Sequence, residues 1–164
     1  MITLVIGGAR SGKSRIAEDL ASHLIPPVTY VATAIVDGSD DDHRARIAAH
    51  RARRDPTWIT IEAGADLANT LRSVTGSVLV DSLGTWVAAH AGFDVDVDDF
   101  CKAMAARDGD TIVVSEEVGL GVHPSSEIGG RFRDVLGDVN VAVADVADEV
   151  LLVVAGRVLP LERR

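Results

Sequence analysis

Apolar residues follow two rhythms along the chain. Unbroken runs rich in β-branched side chains occur at Ile2 to Ile6, Val28 to Thr33, Val78 to Asp81, Thr111 to Ser115 and Val150 to Ala155. Runs of this kind suit strands buried on both faces of a parallel sheet. Between them the spacing changes to that of helices. Ile16, Leu20 and Leu24 recur on one face of a segment from Arg15 to Leu24, and Ala45, Ala48, Ala49 and Ala52 do so in a segment from Asp41 to Arg54. A third helix holds Arg131 to Asp134 and runs to Val146. Pro56 stops the second helix and "TWITIE" reads as a short extended segment, while the acidic, glycine-bearing stretch Ala91 to Asp99 reads as a surface loop. Strands alternating with helices predict an α/β fold with a mainly parallel central sheet flanked by helices. No repeat or linker interrupts residues 1–164, so one domain is expected.

Composition narrows what such a fold would handle. The 164 residues are 47% apolar, enough for one sizeable core, and the net charge is −9. That balance argues against a general nucleic-acid binder, which needs a basic surface to neutralise phosphates. An anionic ligand must therefore be held locally. No apolar stretch reaches the roughly 18 residues of a membrane span, and Ile2 to Ile6 lacks the basic flank of a signal peptide. Cys101 is the only cysteine, so no intrachain disulfide or cysteine zinc site forms. A soluble, cytoplasmic protein with neither nucleic-acid nor membrane partner is the expectation.

Lys13 and Lys102 are the only lysines, arginine supplying the other 14 cations. A bias toward arginine explains the imbalance but not the place of Lys13, inside "GGARSGKS". Residues Gly7, Gly8, Ala9, Arg10, Ser11, Gly12, Lys13 and Ser14 match the P-loop pattern. Its glycines let successive backbone N–H groups surround phosphate oxygens, its lysine reaches the outer phosphates, and its hydroxyl ligates Mg²⁺. The loop follows a strand and opens a helix, the context the motif requires. Nucleoside triphosphate binding is the strongest inference from the residues alone.

A second element of such sites is an aspartate ending another buried strand and holding the metal directly or through water. Asp81, closing "SVLVD", fits that role or that of an ordinary helix cap. Glu116 and Glu117 follow the next strand, where ligands gather in open α/β sheets, or are solvated loop acids. Arg131 and Arg133 read better as a surface network with Asp134 and Asp138 than as phosphate ligands. The segment "RARIAAHRARR", residues 44 to 54, packs five arginines around His50. By itself it is either a nucleotide-handling helix or a solvated basic face.

In combination, "GGARSGKS", "VATA", "RIAAHRARRDPTWITIE", "VLVDSLGTW", "EVGLGVHP", "GRFRDVLGDVN" and "ADEVLLVVAGRVL" resemble the bifunctional adenosylcobinamide kinase and adenosylcobinamide-phosphate guanylyltransferase family over essentially the whole chain. The resemblance implies a P-loop NTPase fold close to the RecA-like type, with Mg²⁺ as cofactor and GTP and ATP as substrates. It further implies phosphorylation of adenosylcobinamide, then transfer of GMP from GTP to that phosphate with release of pyrophosphate, late in cobalamin biosynthesis. It casts His50 as the residue that carries GMP covalently and Lys13 as the second catalytic residue. Arg51, Ala52, Arg53 and Arg54 would hold the triphosphate, the arginines also lowering the pKa of His50 and keeping it neutral as a nucleophile. Ala32, Thr33, Ala34, Glu62 and Asp81 match nucleotide-contacting positions, with Ser14 and Asp81 the metal ligands. A homotrimer is implied as well.

Three departures bear on this, one being Asn140 followed by Val141 where the family usually has an Asn-Gln pair. Glu116 stands where the family usually has asparagine, placing a carboxylate near the expected phosphates, and the stretch between Trp86 and Thr111 is shorter than typical. Two other classes share these motifs: a P-loop small-molecule kinase without guanylyl transfer, and a nucleotide-binding regulatory protein descended from the family.

Overall fold

The structure, a computed structural model, describes residues 1–34 and 55–163. Seven strands form one sheet: β1 (Ile2–Gly7), β2 (Val28–Ala32), β3 (Ile59–Glu62), β4 (Ser77–Asp81), β5 (Thr111–Glu116), β6 (Glu149–Val154) and β7 (Arg157–Pro160). Their order is β3-β2-β4-β5-β1-β6-β7. Every neighbouring pair is parallel except β6 with β7. The helices among the described residues are α1 (Lys13–Ser22), α2 (Leu67–Ser73), α3 (Leu83–Ala88), α4 (Val97–Ala105) and α5 (Glu127–Val146). This is the α/β architecture with a mainly parallel sheet that the apolar runs predict.

The central strands are apolar throughout because both faces are covered. Leu4, Val78, Val80 and Val113 face a core built with Leu67, Leu71, Trp86, Phe100, Met104 and Leu136 from α2 to α5. Their sequence neighbours Val5, Leu79, Ile112 and Val114 face Ala17 and Ala21 of α1 on the other side. Each fully buried Leu or Phe among them, such as Leu79 or Phe100, contributes about 2–3 kcal/mol of transfer free energy. No helix among the described residues is long and apolar enough to cross a membrane.

Two expectations need correction. Ala91 to Asp99 is not wholly a loop: a short 3₁₀ turn spans Ala91–Phe93 and α4 begins at Val97. Its acids are helix-start residues, Asp96 accepting the N–H of Asp99 with its side chain, and the buried Phe100, Cys101, Ala103 and Met104 supply the helical period. Ala155 is not the end of a strand. With Gly156 it forms a turn in which both residues have positive φ, 50° and 71°, the geometry of a tight hairpin. That turn leads into β7, which has no buried residue and hence no apolar run to announce it. The third helix starts at Glu127, capped by Ser126, whose Oγ accepts the N–H of Gly129.

Candidate nucleotide site

Strand β1 ends at Gly7, and residues 8–12 carry the chain into α1. At Gly7 a Cβ would lie 2.5 Å from the carbonyl of Val153 and 2.6 Å from Ser11 Oγ, so only glycine fits. Arg10 and Gly12 both have left-handed φ, 56° and 95°, the kind of backbone turn from which anion-holding loops are built. Arg10 adopts this conformation at a cost of about 1 kcal/mol or more. The loop is tied from two directions: Gly156 N–H donates to Ser11 O at 2.7 Å and Glu117 N–H to Gly7 O at 3.0 Å. Ser11 Oγ is buried with no partner among the described residues. Gly8 is different, since a Cβ there would meet nothing, and Ala9 and Arg10 are exposed. Lys13 and Ser14 form the first turn of α1. Lys13 Nζ donates to Gly8 O at 3.4 Å and lies 3.5 Å from Glu116 Oε1.

Opposite the loop, the strand ends bring together residues far apart in sequence. Ala32 pairs in register with Asp81 on one side and Glu62 on the other, which puts three predicted site residues in one row. Asp81 accepts a hydrogen bond from Tyr30 OH at 2.9 Å. Thr33, fully buried, is bonded to the next turn: its Oγ1 donates to Ser82 O at 2.6 Å, accepts Ser82 N–H at 2.9 Å and lies 2.6 Å from Thr85 Oγ1. Ala34 follows it directly, half-buried.

Glu116 joins the two halves. Its carboxylate accepts from Ser82 Oγ at 3.0 and 3.1 Å and from Gly84 N–H at 3.0 Å, while facing Lys13. A Cβ at residue 84 would fall inside that carboxylate. Asn140, from α5, braces the strand end: its Nδ2 donates to Glu116 O at 3.0 Å and its Oδ1 accepts from Ser115 Oγ. Glu117 turns elsewhere, its carboxylate accepting the N–H groups of Gly119 and Leu120, so it is a loop acid. Arg133 pairs with Asp134 at 2.7 Å and reaches His123 Nδ1 at 3.3 Å, as the surface reading predicts.

The structure thus brings together the Gly7–Ser14 loop and the turn after Asp81, with Ala32 and Thr33 beside that turn. Glu62 lies at the exposed end of the same row. His50, Arg51, Ala52, Arg53 and Arg54 lie outside the described residues. The sequence analysis missed the roles of Tyr30, Ser82, Gly84 and Asn140. The only local signal was Ser82 and Thr85 at capping-box spacing, which Ser82 N–H donating to Thr85 Oγ1 at 3.3 Å partly realises.

Comparison with known proteins places this geometry. Residues 3–161 match the sequence model of the family described as cobinamide kinase / cobinamide phosphate guanyltransferase. The bifunctional adenosylcobalamin biosynthesis protein CobP of Pseudomonas aeruginosa is 39% identical over 171 residues, with 99% of this chain and 98% of the relative covered. The bifunctional adenosylcobalamin biosynthesis protein CobU of Salmonella typhimurium is 35% identical over 178 residues, covering 95% and 97% respectively. Among solved structures, an ATPase from the type III secretion system of pathogenic bacteria shares the fold with a TM-score of 0.57 at 9% identity. The match takes in 92% of this chain, which spans about half the length of that ATPase, 50%.

Proposed function

This chain belongs to the cobinamide kinase / cobinamide phosphate guanyltransferase family, and on that premise we propose how its own residues divide the family's two reactions. It is a bifunctional kinase and guanylyltransferase of cobalamin biosynthesis. In the kinase reaction the loop from Gly7 to Ser14 holds a nucleoside triphosphate, GTP or ATP, and Lys13 draws charge from the outer phosphates as the adenosylcobinamide hydroxyl attacks the terminal phosphorus, its proton passing to solvent while the bond to the bridging oxygen breaks and the nucleoside diphosphate leaves. Ser14 and Asp81 offer a hydroxyl and a carboxylate oxygen, the hard donors that Mg²⁺ takes while keeping phosphate and water ligands. That ion, when bound, neutralises charge on the triphosphate. Ala32, Thr33, Ala34 and Glu62 border the nucleotide from the neighbouring strand ends.

In the second reaction an imidazole nitrogen of His50 attacks the α-phosphorus of GTP. An N–P bond forms, the bond to the bridging oxygen breaks, and pyrophosphate leaves. A phosphate oxygen of adenosylcobinamide phosphate then attacks the same phosphorus and frees the histidine. Arg51, Arg53 and Arg54 neutralise the triphosphate during this exchange. The observation that carries the reading is the P-loop fold itself: Lys13 at the head of α1, facing the turn after Asp81 across the carboxyl ends of the strands. The whole chain, 1–164, acts as one nucleotide-binding domain in a cytoplasmic homotrimer, which sedimentation of the purified protein tests.

The decisive experiment uses GTP labelled at the α-phosphate. Label should remain on the denatured wild-type protein, be lost in acid and survive alkali, as a phosphoramidate does, while γ-label should not remain. His50→Ala should form no adduct and make no GMP-transfer product, yet still phosphorylate adenosylcobinamide. Stable α-label on His50→Ala would transfer the role to another residue, His43 first.

A further inference from the structure

Among the described residues the Glu116 carboxylate lies 3.5 Å from the P-loop lysine, and its surroundings are built for it. Ser82 Oγ and Gly84 N–H both donate to it, Asn140 holds its backbone, and residue 84 has no Cβ where the carboxylate sits. Anchored on these sides, it has no ready retreat when phosphates reach Lys13. We propose that Glu116 determines which form of the nucleotide the loop accepts, disfavouring a bare triphosphate and favouring one that arrives with a divalent cation. The proposal rests on the nucleotide-binding reading of the Gly7–Ser14 loop.

The argument is one of charge. In the free protein the Lys13 ammonium, 11% exposed, is already answered by a carboxylate 3.5 Å away. A bare triphosphate therefore meets a neutral pair and brings anionic oxygens to within a few ångströms of Glu116. Two unit charges ~5 Å apart at an effective dielectric of ~20 repel by the equivalent of roughly a hundredfold in a binding constant. Glu116 is 29% exposed, and screening by solvent and salt reduces this to about tenfold. A divalent cation on the phosphates cancels two of their negative charges and so removes much of that repulsion. The asparagine expected at this position lacks that discrimination. The carboxylate is thus a selective feature, where the sequence by itself suggests only repulsion.

The test is GTP binding to the full chain, by calorimetry, in excess EDTA and in excess Mg²⁺. The readout is the ratio of the two dissociation constants, with thermal melting confirming that each variant is folded. In Glu116→Gln, which keeps the side chain's shape and an acceptor for Gly84 N–H, the ratio should fall at least about tenfold, mainly through tighter metal-free binding. Glu116→Asn should behave the same way, and Glu116→Asp, which keeps the charge, should stay within about threefold of wild type. A wild-type ratio in Glu116→Gln, or a ratio in Glu116→Asp that falls as far as in Glu116→Gln, overturns the proposal alone. Failure of the wild-type protein to bind GTP with Mg²⁺ overturns the nucleotide-binding reading and this proposal together.

Discussion

Where the strands of the sheet begin, side chains are tied to main chain or to the terminus; where they end, side chains are also tied to one another in a continuous series. At the first edge Arg107 donates to three carbonyls, Leu71 O, Val74 O and Gly76 O, at 2.5 to 2.6 Å. Burial pushes its guanidinium pKa down from the ordinary value, yet arginine remains a cation there. Ser77 Oγ donates to Ile25 O, Asp148 accepts Ile2 N–H and Asp110 pairs with the amino terminus. At the second edge the chain of contacts runs Lys13, Glu116, Ser82, Thr85, Thr33, with Tyr30 on Asp81 beside it. Backbone partners are fixed by the fold and hold it shut. At the second edge Lys13 can turn to a ligand's phosphates while Glu116 stays held by its other donors, so the same chemistry closes one edge and leaves the other available.

The largest test of this contrast is a pair of truncations. Arg107→Ala removes charge-assisted bonds from three carbonyls and should cost about 3 kcal/mol, lowering the melting temperature by roughly 6–12 °C. GTP affinity of the folded protein, measured at low temperature, should stay within about twofold. Lys13→Ala should do the reverse: GTP affinity in Mg²⁺ falls about a hundredfold, because the loop loses its cation, while stability changes by no more than about 1 kcal/mol, since Glu116 keeps its other donors. A folded Arg107→Ala that no longer binds GTP would break the comparison.

What the sequence disclosed follows the same division between local and long-range chemistry. The P-loop was legible because its glycines, lysine and hydroxyl are consecutive, and the central strands because burial on both faces leaves unbroken apolar runs. Strand β7, exposed at all its positions, left no such trace, and the acids that start α4 imitated a loop. The roles of Ser82, Gly84 and Asn140 were invisible for another reason: these residues meet Glu116 across separations of 34, 32 and 24 residues, and nothing in one chain read linearly records those meetings. Glu116 itself was noticed, but as a repulsive charge, since its donors lie on other elements.

Thr33 sharpens the contrast at an intermediate scale, because it is a fully buried side chain of the second edge that bonds main chain, through Ser82 N–H and O. Thr33→Val keeps the shape and leaves both Ser82 groups without that partner. The expected loss is about 2 kcal/mol, a fall of roughly 4–8 °C in melting temperature. Because Ser82 adjoins Asp81 and holds Glu116, kcat/KM of the kinase reaction should fall as well. A variant that loses stability at full kcat/KM would show that Thr33 belongs with Arg107 rather than with Lys13.

The smallest effect lies away from both edges, where Arg72 of α2 grips Asp99 of α4 on the surface. The hydrogen bond from Arg72 holds the Asp99 carboxyl below its ordinary range against an opposing desolvation, aided by the charges of Arg72 and Lys102. The same bond raises the arginine further above neutrality, so only Asp99 titrates where the protein can be studied. A carboxylate with a depressed folded pKa stabilises fully above its unfolded pKa, about 3.9, and that contribution is lost as pH falls through the lower folded value. Asp99→Asn should therefore melt below wild type at pH 7, and the gap should narrow as pH falls below the unfolded value of about 3.9. Both side chains lie open to solvent at the surface, 42% and 43% exposed, so the gap at pH 7 should not exceed about 2 °C and should shrink in 1 M salt. A gap that persists unchanged at pH 3 would assign the effect to packing between α2 and α4 rather than to the charge.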